Sequence, residues 1–115
     1  MIKTSYFKKA KDLPNVVSIA RSDFPWPMKG YRFGKYEALL PSLSLCRDWR
    51  TGNLTKGEYS QRYYSETLSK LNPTSVYKEL DGKILLCHET SESFCHRRLV
   101  AKWLEDSLGV NVPEL

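Results

Sequence analysis

The sequence predicts one α/β domain spanning residues 1–115, a mostly parallel sheet flanked by helices, and three observations carry that expectation. Two short apolar runs, Val-Val-Ser-Ile-Ala at 16–20 and Ile-Leu-Leu-Cys at 84–87, read as buried strands. Between them Thr55-Lys56-Gly57-Glu58 fits a capping box, the signature of a helix start. After the second run, Leu99, Val100, Trp103, Leu104 and Leu108 recur as one apolar stripe, the packing face of a helix on a sheet. Strands alternating with helices favour a parallel sheet, and 115 residues suffice to bury one core.

The elements follow in order. Residues 1–7, with Ile2, Tyr6 and Phe7 among polar neighbours, predict a first strand, and 8–15 a charged connection closing at Pro14-Asn15. After the strand at 16–20, Pro25, Pro27, Gly30 and Gly34 predict a long loop. Residues 36–40 read as a helical turn before Pro41, and 43–49 as a short helix. From the capping box, Tyr59, Tyr63, Leu68 and Leu71 keep helical spacing until Asn72-Pro73. Thr74 is the expected cap of another short helix, closed at Asp81-Gly82. The run at 84–87 is fully apolar and so belongs in the middle of the sheet. The last helix is expected to start near Ser91 or Ser93 and to end before Gly109.

Composition narrows the function classes. Hydrophobic residues at 41% and charged residues at 27% exclude wholesale disorder. No apolar run approaches the roughly 20 residues of a membrane span, and residues 1–13 lack the apolar stretch of a secretory signal. The cytoplasm is the expected compartment, and Cys46, Cys87 and Cys95 are expected as reduced thiols, Cys46 buried and inert. Residues 1–50 hold ten Lys/Arg against four Asp/Glu, whereas 51–115 hold eight against nine. That basic half favours an anionic partner, a nucleotide or nucleic acid. Within 21–36 five aromatics, Phe24, Trp26, Tyr31, Phe33 and Tyr36, interleave with Arg21, Lys29, Arg32 and Lys35. Such a stretch suits stacking on bases beside phosphates, or else rings that anchor a loop while its lysines stay solvated.

The chemistry gathers at 87–98. In open α/β sheets ligands collect where strand carboxyl ends meet helix N-termini. Cys87-His88-Glu89 is expected at such a strand end and Cys95-His96-Arg97-Arg98 in the first turn of the next helix. There the helix dipole and the arginines favour a thiolate, or would hold a phosphate. Three readings stand: a cysteine nucleophile with a histidine base and an arginine on substrate oxygens; two Cys-His pairs around zinc, a poor fit because strand neighbours point to opposite faces; or small core cysteines with histidines and arginines capping the helix. The candidate catalytic residues are Cys87, Glu89, Cys95 and His96, and the candidate ligand contacts Arg21, Arg97, Trp26 and Arg32. No cofactor and no metal is assigned.

The strand ending Cys87-His88-Glu89, followed by Cys95-His96-Arg97-Arg98-Leu99, resembles the close of the family known as domain of unknown function 488, whose members carry Cys-x-Glu, a short loop and Cys-His-Arg. On that resemblance Cys87, Glu89, Cys95, His96 and Arg97 carry over. The stretch from Val16 to Arg21 with Pro25 is similar to the family's first-half Asp-x-Arg strand, except that Ile19 stands where the family has Asp. The resemblance implies a compact α/β fold and a prokaryotic or phage origin, and no particular reaction. The functional expectation is therefore an anionic ligand over the strand ends with thiol-based catalysis. The alternative is a non-catalytic phage or bacterial protein that docks on a host partner through its basic face.

Overall fold

The computed structural model describes residues 1–10, 13–20, 34–87 and 95–115. Among them a four-stranded, all-parallel sheet runs in the order β1-β4-β2-β3, with β1 at Lys3–Tyr6, β2 at Val16–Ser18, β3 at Gly34–Lys35 and β4 at Ile84–Cys87. The expected α/β class is what is found. The apolar run of β4 has its reason in this order, since the strand is paired on both sides, with β1 and with β2. Leu85 enters the main core and Leu86 a smaller one, as alternation along a strand requires.

Among the described residues five α-helices accompany the sheet: α1 at Phe7–Ala10, α2 at Leu43–Arg50, α3 at Lys56–Glu66, α4 at Pro73–Leu80 and α5 at His96–Leu108. Helix α5 packs on β1 and β4 and against α3 and α4, burying Val100, Ala101, Trp103 and Leu104. It ends at Gly109, whose φ of 67° is the left-handed closing position that favours glycine. The capping box at Thr55 and Glu58 is formed in both directions, at 3.1 and 2.9 Å.

Several expectations change. Asn72, not Thr74, caps α4: its Oδ1 accepts from Ser75 N at 3.1 Å, and Pro73 occupies the first turn, where its missing N–H costs nothing. Helix α3 ends at Glu66, because Thr67 leaves helical geometry, and Leu68 continues in a 3-10 turn at Leu68–Lys70. Helix α1 replaces part of the expected connection; it is a single turn burying Phe7 and Ala10, too short to leave a periodic signal. The two exposed residues of β3 lacked any apolar pattern that could mark a strand. Cys46, expected to be buried, is of intermediate exposure. Finally, residues near 114 run alongside β1: Thr4 N donates to Pro113 O at 3.0 Å and Leu115 N to Thr4 O at 2.8 Å.

Candidate functional site

Because every strand is parallel, the carboxyl ends of β1, β4 and β2 share one edge. Register sets Tyr6 beside Cys87 and Ser18 beside Leu86 there. The start of α5 lies against that edge. Cys95 is its N-cap, in extended conformation, rather than a member of the first turn. Its sulfur is bonded to that of Cys87 in a disulfide spanning eight positions of sequence. The expectation of reduced thiols is thus corrected for this pair: the strand end and the helix cap direct both sulfurs to one point. Both cysteines are buried, at 1% and 4% exposure.

His96, also buried, points its ring at the same place. Its Nε2 lies 2.5 Å from the carbonyl oxygen of Ile19, just beyond β2, and its Nδ1 lies 3.7 Å from Cys95 Sγ. A carbonyl only accepts, so Nε2 carries the proton and, in the neutral ring, Nδ1 turns its lone pair to the sulfur. The ring packs against Tyr63 of α3, centroids 5.3 Å apart, at the end of an aromatic series that includes Trp49 and Tyr59. Burial first, and then neighbouring Tyr59, push the Tyr63 hydroxyl well above its ordinary value, so it stays protonated and donates to Leu39 O at 2.6 Å.

Arg97 has no exposed surface. Its Nη1 donates to Cys87 Sγ at 3.3 Å, while Nη2 and Nε donate to the Glu114 carboxylate at 2.7 and 3.1 Å. The guanidinium also sits 5.9 Å from the centre of the Tyr6 ring, a cation–π distance. Thr4 Oγ1 donates to Glu114 at 2.5 Å and accepts from Arg98 Nη1 at 2.9 Å. Burial alone would push the Glu114 carboxyl up. The hydrogen bonds from Arg97 and Thr4, with the charges of Arg97 and Arg98, outweigh it and hold the group below the usual carboxylate range.

Of the expected site residues, Cys87, Cys95, His96 and Arg97 are brought together. Glu89, Arg21, Trp26 and Arg32 lie outside the described residues. Arg98 does not reach the sulfurs in the described hydrogen bonds; it donates to Thr4 Oγ1 and the Val112 carbonyl, at the outer side of the Glu114 network. Sequence reasoning missed Glu114, Thr4 and the Ile19 carbonyl. Nothing local marks them, since they reach the site only through strand pairing and the course of the chain near 114. Tyr63 was legible as a helix-face residue but not as the neighbour of His96.

Among the described residues no helix is long and apolar enough to cross a membrane. No family model matches the chain, and neither any curated protein nor any solved structure shows significant similarity to it.

Proposed function

We propose that this chain carries a cycling dithiol–disulfide centre, Cys87–Cys95, that acts on an anionic substrate over the strand ends. The observation that carries the reading is the company the two sulfurs keep: His96 Nδ1 faces one and Arg97 Nη1 the other. A pair that served only as a staple needs neither neighbour.

The chemistry balances as an exchange. In the reduced pair, His96 Nδ1 takes the Cys95 proton, and the thiolate attacks one sulfur of a substrate disulfide. That S–S bond breaks, and the departing thiolate recovers the proton from His96. Cys87 next gives its proton to His96 Nδ1, within 4.8 Å, and as a thiolate whose charge Arg97 matches it attacks the Cys95 sulfur of the mixed disulfide. That bond breaks, and the second departing thiolate takes the proton from His96. Two electrons and two protons pass to the substrate, and the Cys87–Cys95 disulfide remains. A cytoplasmic location, expected from the sequence, suits a pair that cycles rather than persists. Arg21, Trp26 and Arg32, with Glu89, remain proposed contacts on the sequence alone, and the basic half favours a nucleotide or nucleic-acid phosphate as the anionic group. On the same residues we read the chain as a divergent relative of the domain of unknown function 488 family, of prokaryotic or phage origin.

Burial of both sulfurs favours a second reading, a non-catalytic protein that docks on a partner through its basic face. One experiment separates the two. The reduced Cys46→Ser chain is mixed, folded, with the anionic disulfide dithiobis(nitrobenzoate). The exchange reading expects rapid release of two thiolates per chain and recovery of the Cys87–Cys95 disulfide by mass spectrometry. Reaction only after denaturation would leave the docking reading.

A further inference from the structure

We propose that the same chain, when reduced, binds one zinc ion through Cys87 Sγ, Cys95 Sγ and His96 Nδ1. The three donor atoms all lie within 4.8 Å of one another, and all three residues are buried. Donors at about 2.0–2.3 Å from a tetrahedral zinc stand roughly 3.5–3.8 Å apart. Cys95 Sγ and His96 Nδ1 already have that spacing, at 3.7 Å.

Adjacent residues were expected to diverge, as neighbours on a strand do. They converge here because Cys95 is extended and His96 is the first helical residue, so the chain bends between them. The two cysteine α-carbons are 7.2 Å apart, beyond the about 4.4–6.8 Å that most disulfides span. That backbone separation leaves room for two thiolates to share one cation.

The surroundings match those of a metal ligand set. A metal-bound histidine usually donates its other N–H to a carbonyl or carboxylate, which fixes the ring, and His96 Nε2 already holds the Ile19 carbonyl. Arg97 Nη1 on Cys87 Sγ supplies the hydrogen bond a coordinated thiolate accepts. Binding forms two Zn–S bonds and one Zn–N bond and releases the two thiol protons. Three protein donors leave a fourth position for water or a substrate atom, the pattern of reactive rather than closed zinc sites. Metal and disulfide exclude one another, so oxidation of the pair expels the ion.

The test uses the full chain reduced with a phosphine, and Co²⁺ as the optical probe before displacement by Zn²⁺. One cobalt per chain is expected, with a thiolate-to-cobalt absorption band that zinc abolishes. Cys46→Ser keeps the band. Cys95→Ser weakens cobalt binding by more than the about 10–100-fold that loss of an outer partner costs. Because that variant can fail to fold, the folded, disulfide-bonded wild-type chain serves as a second measurement, and it is expected to show no band. A band absent from the reduced chain at saturating cobalt, a band that survives oxidation, or a cobalt affinity unchanged by Cys95→Ser overturns the proposal. Failure of thiol exchange leaves the cobalt band untouched, so the two readings fail separately.

Discussion

Two arginines of this chain fork onto carboxylates at similar distances, Arg62 across two of them and Arg97 onto one, and their surroundings give them opposite meanings. Arg62 on α3 donates to Asp48 at 2.7 Å, Glu66 at 3.0 Å and Ser44 at 3.2 Å, fastening α3 to α2. Each of the three charged side chains keeps about a third of its surface in water. Arg97 makes an equally close fork on Glu114 with no exposure at all. Charges that stay in water gain little and cost little. A buried pair costs several kcal/mol of desolvation, and an apolar residue of the same size often serves stability as well or better. What Arg97 does that a leucine could not is donate to Cys87 Sγ. The buried fork therefore positions a charge at the site; the exposed one is a surface clasp.

The largest expected effect comes from breaking the buried fork. Glu114→Gln keeps the shape and removes the counter-charge, leaving the Arg97 guanidinium buried without it. We expect a loss of about 3 kcal/mol, the low end for a broken buried pair, because Glu114 is itself 20% exposed. The check is a urea midpoint that falls at constant slope. The acid response sharpens it. The Glu114 carboxyl is held below its unfolded value, so its stabilisation is complete above about pH 4.3 and is lost as pH falls through the folded value. The Gln variant should lose part of the wild-type acid slope. An unchanged slope would mean that Glu114 contributes little to acid sensitivity.

A smaller effect is expected one residue from the exposed fork. Arg62 and Tyr63 are neighbours on α3, yet the turn of the helix sends one to the surface and the other into the core against His96. Tyr63→Phe leaves the Leu39 carbonyl without its donor, a cost of about 1–2 kcal/mol. The phenyl ring still packs on His96, but it loses the hydrogen bond that fixes its position. The variant should react with dithiobis(nitrobenzoate) at a changed rate after correction for its lower stability. An unchanged rate would make Tyr63 a core residue only.

Much of this was legible in the sequence, for reasons that differ by residue. Strand β4 announces itself as an unbroken apolar run, helix α5 by period, and the box at Thr55 and Glu58 by chemistry that acts within four residues. Gathering Cys87, Cys95, His96 and Arg97 needed only the rule that strand ends face helix starts. Glu114 was hidden because its partner is 17 positions away and the two meet only where the chain near 114 lines up along β1. The disulfide was hidden for a different reason. An odd, sparse cysteine count says nothing of whether a strand end and a helix cap aim two sulfurs at one point.

The smallest expected effect belongs to Arg62, and it tests the comparison from its other side. Arg62→Gln removes both ion pairs of the clasp, to Asp48 and Glu66, while an amide can still reach one of the former partners. Removing it strands no charge in a dry interior, since Asp48 and Glu66 both remain in contact with water. Glu66 keeps the hydrogen bond from Ser42 at 2.7 Å, and salt screens whatever attraction existed. The urea midpoint should therefore stay within experimental error of wild type, and any small difference should vanish in high salt. The change made by Glu114→Gln should persist in high salt, because counterions do not reach a guanidinium with no exposed surface. Paired titrations of the two variants at low and high salt measure this contrast. If Arg62→Gln proved as costly as Glu114→Gln, and equally insensitive to salt, burial would not be what separates the two forks.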